Sequence, residues 1–354
     1  ECMREFSTIT KLMHRRIRIL TASITLLFVS LACATLLGPQ PPLGQTSPNP
    51  MSFEVPNPTP TPQAVVEFCP PITDAIIQLI SSYDEKKDIQ FLDGSFLLVS
   101  YSIVGEKLND PSYTSISTEF APLRNDTEGH LRIWNYFRAL IPAEERSMLG
   151  EYAIGTDGDG GHLAAVGQSN DDPNEWYLFV DIADTVDYYE LTYTLIHEFA
   201  HLLTLGPEQV PPSLAVFENP MDEDIYNQEL SDCDTYFPRE GCARLGSYIQ
   251  EFYDRFWADI YQEWQNIDLE ENEEVYYQEL EDFYLAYEDR FVTQYSVTNP
   301  EEDIAEAFSY FIFSPKPSGN TMAENKILFF YEYPELTELR TVILNNVCEK
   351  FPKE

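Results

Sequence analysis

The sequence predicts an α+β fold in which a small mixed sheet lies over one apolar helix and the C-terminal half is largely helical. Three features lead there. Short apolar runs at 95–104, 152–156, 163–168 and 176–182, bounded by turns rich in Gly, Asp and Asn, read as strands. The apolar run 190–205 reads as one helix ending at Gly206-Pro207, a common helix stop. Beyond it, Ile249, Tyr253, Phe256, Trp257, Ile260 and Trp264 recur at three or four, and Tyr276, Leu280, Phe283, Tyr287 and Phe291 do the same.

Taken from the N-terminus, the chain opens on a targeting pattern. His14-Arg15-Arg16-Ile17-Arg18 is basic, and residues 19–32 are apolar without a charge. Residues 1–12, ahead of Met13, are expected to be an overextended gene start. Ser30-Leu31-Ala32-Cys33 resembles a bacterial lipobox, with Cys33 as the lipid-bearing residue and Ser30 where an aliphatic side chain is usual. A cleaved signal peptide and a retained N-terminal anchor are the alternatives, and all three place the rest outside the cytoplasm. Residues 34–63 are a Pro/Thr-rich linker that holds a domain off the membrane. Residues 64–354 read as one domain without an internal repeat.

Within that domain, 74–83 reads as a short helix and 131–149 as a helical pattern interrupted by Pro142. Asp157-Gly158-Asp159-Gly160-Gly161 has calcium-loop residues but not the spacing or the closing glutamate of an EF-hand, so a hairpin turn is expected there. Residues 207–246 read as an irregular acidic region. The two aromatic stripes after it are expected to be core, with their carboxylates in water.

The 354 residues carry 60 acidic and 21 basic side chains, a formal charge of -39. That balance argues against a nucleic-acid partner, whose phosphates need a basic surface. Four cysteines follow Cys33, an even number in an oxidising compartment. Cys233 and Cys242 flank a short loop and pair most simply with each other, which leaves Cys69 for Cys348.

The chemistry concentrates in His197-Glu198-Phe199-Ala200-His201. At about 100° per residue the two histidines lie within about 40° of each other on one helix face. Two imidazoles one turn apart can hold one zinc ion, with the glutamate between them placed to act on a water. Two hydrogen-bonded core histidines are the alternative. A hydrolytic zinc site needs three protein ligands and an open position. No histidine follows His201, so the third ligand must be a carboxylate. The best candidates stand on a helix that Asn299 would cap and Pro300 would open. Glu302 and Glu306 share one face there, while Glu301 and Asp303 project about 100° to either side of Glu302.

These two segments together resemble the gluzincin metallopeptidases, and more closely the catalytic domain of anthrax lethal factor and its relatives. The likeness rests on the HEFAH helix, on Tyr295 before an Asn/Glu-rich turn, and on Glu302 with Ala305-Glu306-Ala307-Phe308. It covers two short segments, and the insertion 207–290 is longer here. The resemblance implies a zincin-like metallopeptidase domain with Zn2+ as cofactor and a peptide or protein as substrate. It makes His197, His201 and Glu302 the metal ligands and Glu198 the general base. Tyr295 becomes a transition-state donor, and Glu306 a partner that orients a ligand imidazole. Strand 176–182 is the expected pairing site for an extended substrate. Two rivals remain: a surface lipoprotein that keeps zinc and binds without cutting, and a metal-free domain with a coincidental motif.

Overall fold

The structure is a computed structural model that describes residues 69–84, 96–158 and 162–352. The targeting segment with Cys33 and the linker 34–63 lie outside the described residues. α1 (Pro70–Asp84) precedes β1 (Phe96–Val104), which turns back through Gly105-Glu106 into β2 (Lys107–Tyr113). Gly105 sits at φ +62°, the left-handed conformation that tight hairpin loops require and that glycine adopts without a Cβ clash. α2 (Ala121–Asn125) and α3 (Thr127–Leu140) follow, the second capped by the Asp126 carboxylate. β3 (Leu149–Thr156), β4 (Ala164–Gln168) and β5 (Trp176–Asp181) complete one five-stranded sheet of order β2-β1-β3-β5-β4. β3 and β5 are parallel and every other pair is antiparallel, so the fold is α+β with a mixed sheet.

Three expectations about this half change, and one strand was not foreseen. The helical pattern at 131–149 stops at Leu140, before Pro142, and Leu149 is instead the first residue of β3, opposite Trp176. β2 was not legible as a strand, because Lys-Leu-Asn-Asp-Pro-Ser-Tyr has no apolar alternation. It is an edge strand, and Pro111 falls at the bulge between the Ser100–Ser112 and Ser102–Asn109 pairs, a position that tolerates proline. The loop after Thr156 is no hairpin turn, since β5 lies between β3 and β4 and the hairpin is β4–β5. For the same reason the 176–182 strand cannot pair with a substrate. Trp176, Leu178 and Val180 are buried, β5 is bonded on both sides, and β4 holds the open edge.

α4 (Tyr188–Leu205) carries the HEFAH residues and is buried on nearly every side, as its apolar run predicts. Asp187 caps it by accepting from the Tyr189 and Glu190 N–H groups. Gly206 ends it where a Cβ would meet the Leu202 carbonyl at 2.6 Å and the Met148 side chain at 2.8 Å. The region 207–246 is less irregular than expected. Ser213 and Asp222 cap two short helices, α5 (Leu214–Glu218) and α6 (Glu223–Asp232).

The first aromatic stripe forms two helices, α7 (Tyr248–Phe256) and α8 (Tyr261–Asp268), and the second forms α9 (Glu273–Ala286). The break falls at Trp257, whose backbone leaves the helical region while its indole N–H donates to Asp303 at 2.7 Å. Ile249, Phe256, Trp257, Ile260, Trp264, Leu280, Phe283 and Phe291 are buried, so these stripes are core. α10 (Pro300–Phe313) begins as its sequence predicts, with the Asn299 side chain accepting from the Glu302 N–H at 2.7 Å. α11 (Met322–Phe329) and α12 (Pro334–Lys350) close the chain. Disulfides join Cys69 to Cys348 and Cys233 to Cys242, the pairing that spacing suggested. They fit an oxidising compartment. Among the described residues no helix is long and apolar enough to cross a membrane.

Candidate metal centre

α4 and α10 lie against each other through Phe199 on Phe308, with ring centroids 6.0 Å apart, and Tyr193 on Phe313, at 6.1 Å. This packing turns the one polar stripe of each helix toward the other. His197 and His201 are only 6% and 8% exposed, which makes unmet polar atoms there costly. Their Nε2 atoms lie 3.1 Å apart, and Glu302 Oε2 lies 2.9 Å from the first and 3.4 Å from the second. Two imidazole nitrogens so close repel unless a proton or a cation lies between them. Tetrahedral zinc with bonds of about 2.0–2.1 Å would hold its ligand atoms about 3.3 Å apart. The three donor atoms therefore form a triangle of the size that one face of such a site requires, and the group could hold a metal ion.

The residues on either side of Glu302 turn elsewhere, as a helical advance demands. Glu301 accepts from the Tyr236 hydroxyl at 2.9 Å, and Asp303 is fully buried against Lys326 and Trp257. Burial alone would raise the Glu302 carboxyl, but His201 and His197 outweigh it and hold the group far below the usual range. Glu306, one turn further on, accepts from His197 Nδ1 at 2.8 Å. Its other oxygen accepts from the Thr293 hydroxyl at 2.6 Å and the Tyr193 hydroxyl at 3.0 Å. His197 is thus oriented from both of its nitrogens.

Glu198 is 7% exposed, on the helix that packs against the edge strand β4. Burial pushes it up to about 7, with His201 and His197 pulling the other way. It sits between the His/Glu trio and the open edge of the sheet. Tyr295 stands in a short turn before α10, its ring 6.0 Å from that of His197. Burial and then the Glu302 charge raise its hydroxyl well above the usual range, so it stays a proton donor. The insertion fixes this turn, since Trp264 N–H donates to the Val297 and Thr298 carbonyls, both at 3.1 Å.

All six residues singled out for the site, His197, Glu198, His201, Tyr295, Glu302 and Glu306, meet at one place. Comparison of the chain with protein-family models, with curated proteins and with solved structures found no match. Tyr193 was overlooked, although it stands one turn before His197 and helical spacing puts it on the same face. Thr293 and Tyr236 carry no local signal, because their contacts depend on how distant segments fold back. A second trio, Asp157, Asp181 and Asp184, brings carboxylate oxygens within 4.8 Å of one another at the end of the sheet. Asp181 accepts there from the Asp157 and Ala183 N–H groups at 2.7 and 2.8 Å, which ties the loop after β3 to the segment entering α4.

Proposed function

We propose that this protein is an extracytoplasmic zinc peptidase with a zincin-like domain of the gluzincin kind, lipid-anchored through Cys33. The observation that carries the reading is the convergence of His197 Nε2, His201 Nε2 and Glu302 Oε2 beside a buried Glu198 and the open strand β4. A site meant only to bind metal for stability has no need of a buried carboxylate facing a free strand edge. Zinc held there supplies a Lewis acid for a peptide carbonyl and lowers the pKa of a water to about 7.

The protein residues do the rest. The edge of β4 pairs with an extended peptide and places its carbonyl over the trio. Glu198 takes the proton of the attacking water and returns it to the leaving amine. The Tyr295 hydroxyl donates to the oxyanion as charge develops. Glu306, fixed by Tyr193 and Thr293, keeps the His197 ring in its tautomer.

The deciding experiment pairs metal analysis with a peptide-library screen of wild type and Glu198→Gln. Wild type should hold one zinc per chain and cut a defined set of peptides. The variant should keep zinc and lose cleavage. Zinc with no cleavage by wild type would leave a binding lipoprotein, and no zinc would leave a coincidental motif.

Lipidation follows from the apolar run and from Ser30-Leu31-Ala32-Cys33. Intact-mass analysis of the membrane fraction is expected to show a mature chain beginning at acylated Cys33. A soluble chain cut elsewhere would refute the anchor.

A further inference from the structure

The backbone between Tyr295 and α10 cannot complete its own hydrogen bonding. Tyr295 opens a 3-10 turn, Tyr295–Val297, in which the Thr298 N–H donates to the Tyr295 carbonyl at 3.1 Å. The bond that would continue such a turn runs from residue 300 to the Val297 carbonyl, and Pro300 has no N–H. Asn299 is extended, so the chain leaves the turn before α10 begins. Val297 and Thr298 are both buried. Their carbonyls need a donor from elsewhere in the fold, because buried acceptors left unmet are costly.

Trp264 supplies it. Its one indole N–H is shared between the Val297 and Thr298 carbonyls, at 3.1 Å from each. The indole is itself held, stacked on Tyr261 at 5.3 Å and edge-on to Trp257 at 6.0 Å. Two more side chains of the insertion grip the residues on either side of Glu302. The Tyr236 hydroxyl donates to Glu301 at 2.9 Å, and the Trp257 N–H donates to Asp303 at 2.7 Å. Of these three donors, only Trp264 holds backbone, and it does so directly behind Tyr295.

We infer, on the zinc peptidase reading above, that Trp264 is a positioning residue for the reaction. Its N–H fixes the turn that keeps the Tyr295 ring beside His197, 6.0 Å from that ring. The acidic insertion thereby has a task in catalysis, which is to set the oxyanion donor. Trp264 acts only through Tyr295 and touches no substrate.

The test compares Trp264→Phe with protein carrying benzothienylalanine at position 264, which keeps the shape of the indole but has sulfur in place of the N–H. In both, kcat should fall about 10–100-fold, the scale of a misplacement of about 1 Å, while KM and zinc affinity hold. Tyr295→Phe should lower kcat at least as far. Adding either replacement to Tyr295→Phe should lower it little further, because the hydroxyl being positioned is already gone. A readout without turnover comes from fluorotyrosine at position 295, whose fluorine signal should shift or broaden when the Trp264 N–H is removed. Unchanged kcat, an unmoved fluorine signal, or losses that multiply in the double variants overturn the assignment and leave the peptidase reading standing. So does loss of activity in Trp264→Phe alone, since the bulk of the ring and not its N–H would then matter. Wild-type protein that cuts no peptide overturns the peptidase reading and this inference with it.

Discussion

Glu302→Ala is expected to bind no stoichiometric zinc after dialysis and to show no peptide cleavage above background. Two imidazoles alone are a weak site, and no neighbouring carboxylate is free to step in. Glu301 is turned to Tyr236, and Asp303 is sealed in the core with Lys326. Glu306 is held by His197, Thr293 and Tyr193. The loss should exceed the about 10–100-fold that removal of an outer hydrogen-bond partner costs. It should also differ in kind from Glu198→Gln, which keeps the metal. Metal analysis and peptide cleavage on the same preparations separate the two cases. If Glu302→Ala still held one zinc and still cut, the third ligand would lie elsewhere, and the acidic insertion would be the first place to search.

Legibility in the sequence followed the range of the interactions. The HEFAH helix, its Gly206-Pro207 end and the Asn299-Pro300 start of α10 were readable because periodicity and caps are local. The placing of Glu302 and Glu306 on one stripe was readable for the same reason. The role of β5 was not. Its apolar run says that it is a strand, but nothing in it says that β3 joins it in parallel and leaves β4 at the edge. β2 and the small helices of 207–246 were hidden because they bury little and rest on turns and caps. Tyr236 and Trp264 reach the site from 65 and 33 residues away, and Lys326 reaches Asp303 from 23 residues further along the chain; such contacts leave no pattern in a single sequence.

Lys326→Ala is expected to destabilise the folded domain by roughly 3–5 kcal/mol, the usual result of stranding one member of a buried ion pair. Lys326 and Asp303 are both fully buried, with Nζ 2.5 Å from Oδ2. Burial pushes the lysine down and the aspartate up, and each partner pulls the other back toward its charged form. The lysine also lies over the Phe291 ring at 4.1 Å, and Trp257 donates to the same carboxylate oxygen at 2.7 Å. Removing the ammonium leaves Asp303 with a neutral donor in an apolar core. That carboxylate is the residue after Glu302, so the pair also fixes the first turn of the helix that carries the third candidate ligand. Replacing both partners with apolar residues, Lys326→Met with Asp303→Leu, should cost less than Lys326→Ala alone, because no charge is then left stranded. Equilibrium denaturation of the metal-free single and double variants reads this directly. A Lys326→Ala protein within about 1 kcal/mol of wild type would mean that water reaches Asp303 and that the pair does not hold α10 in place.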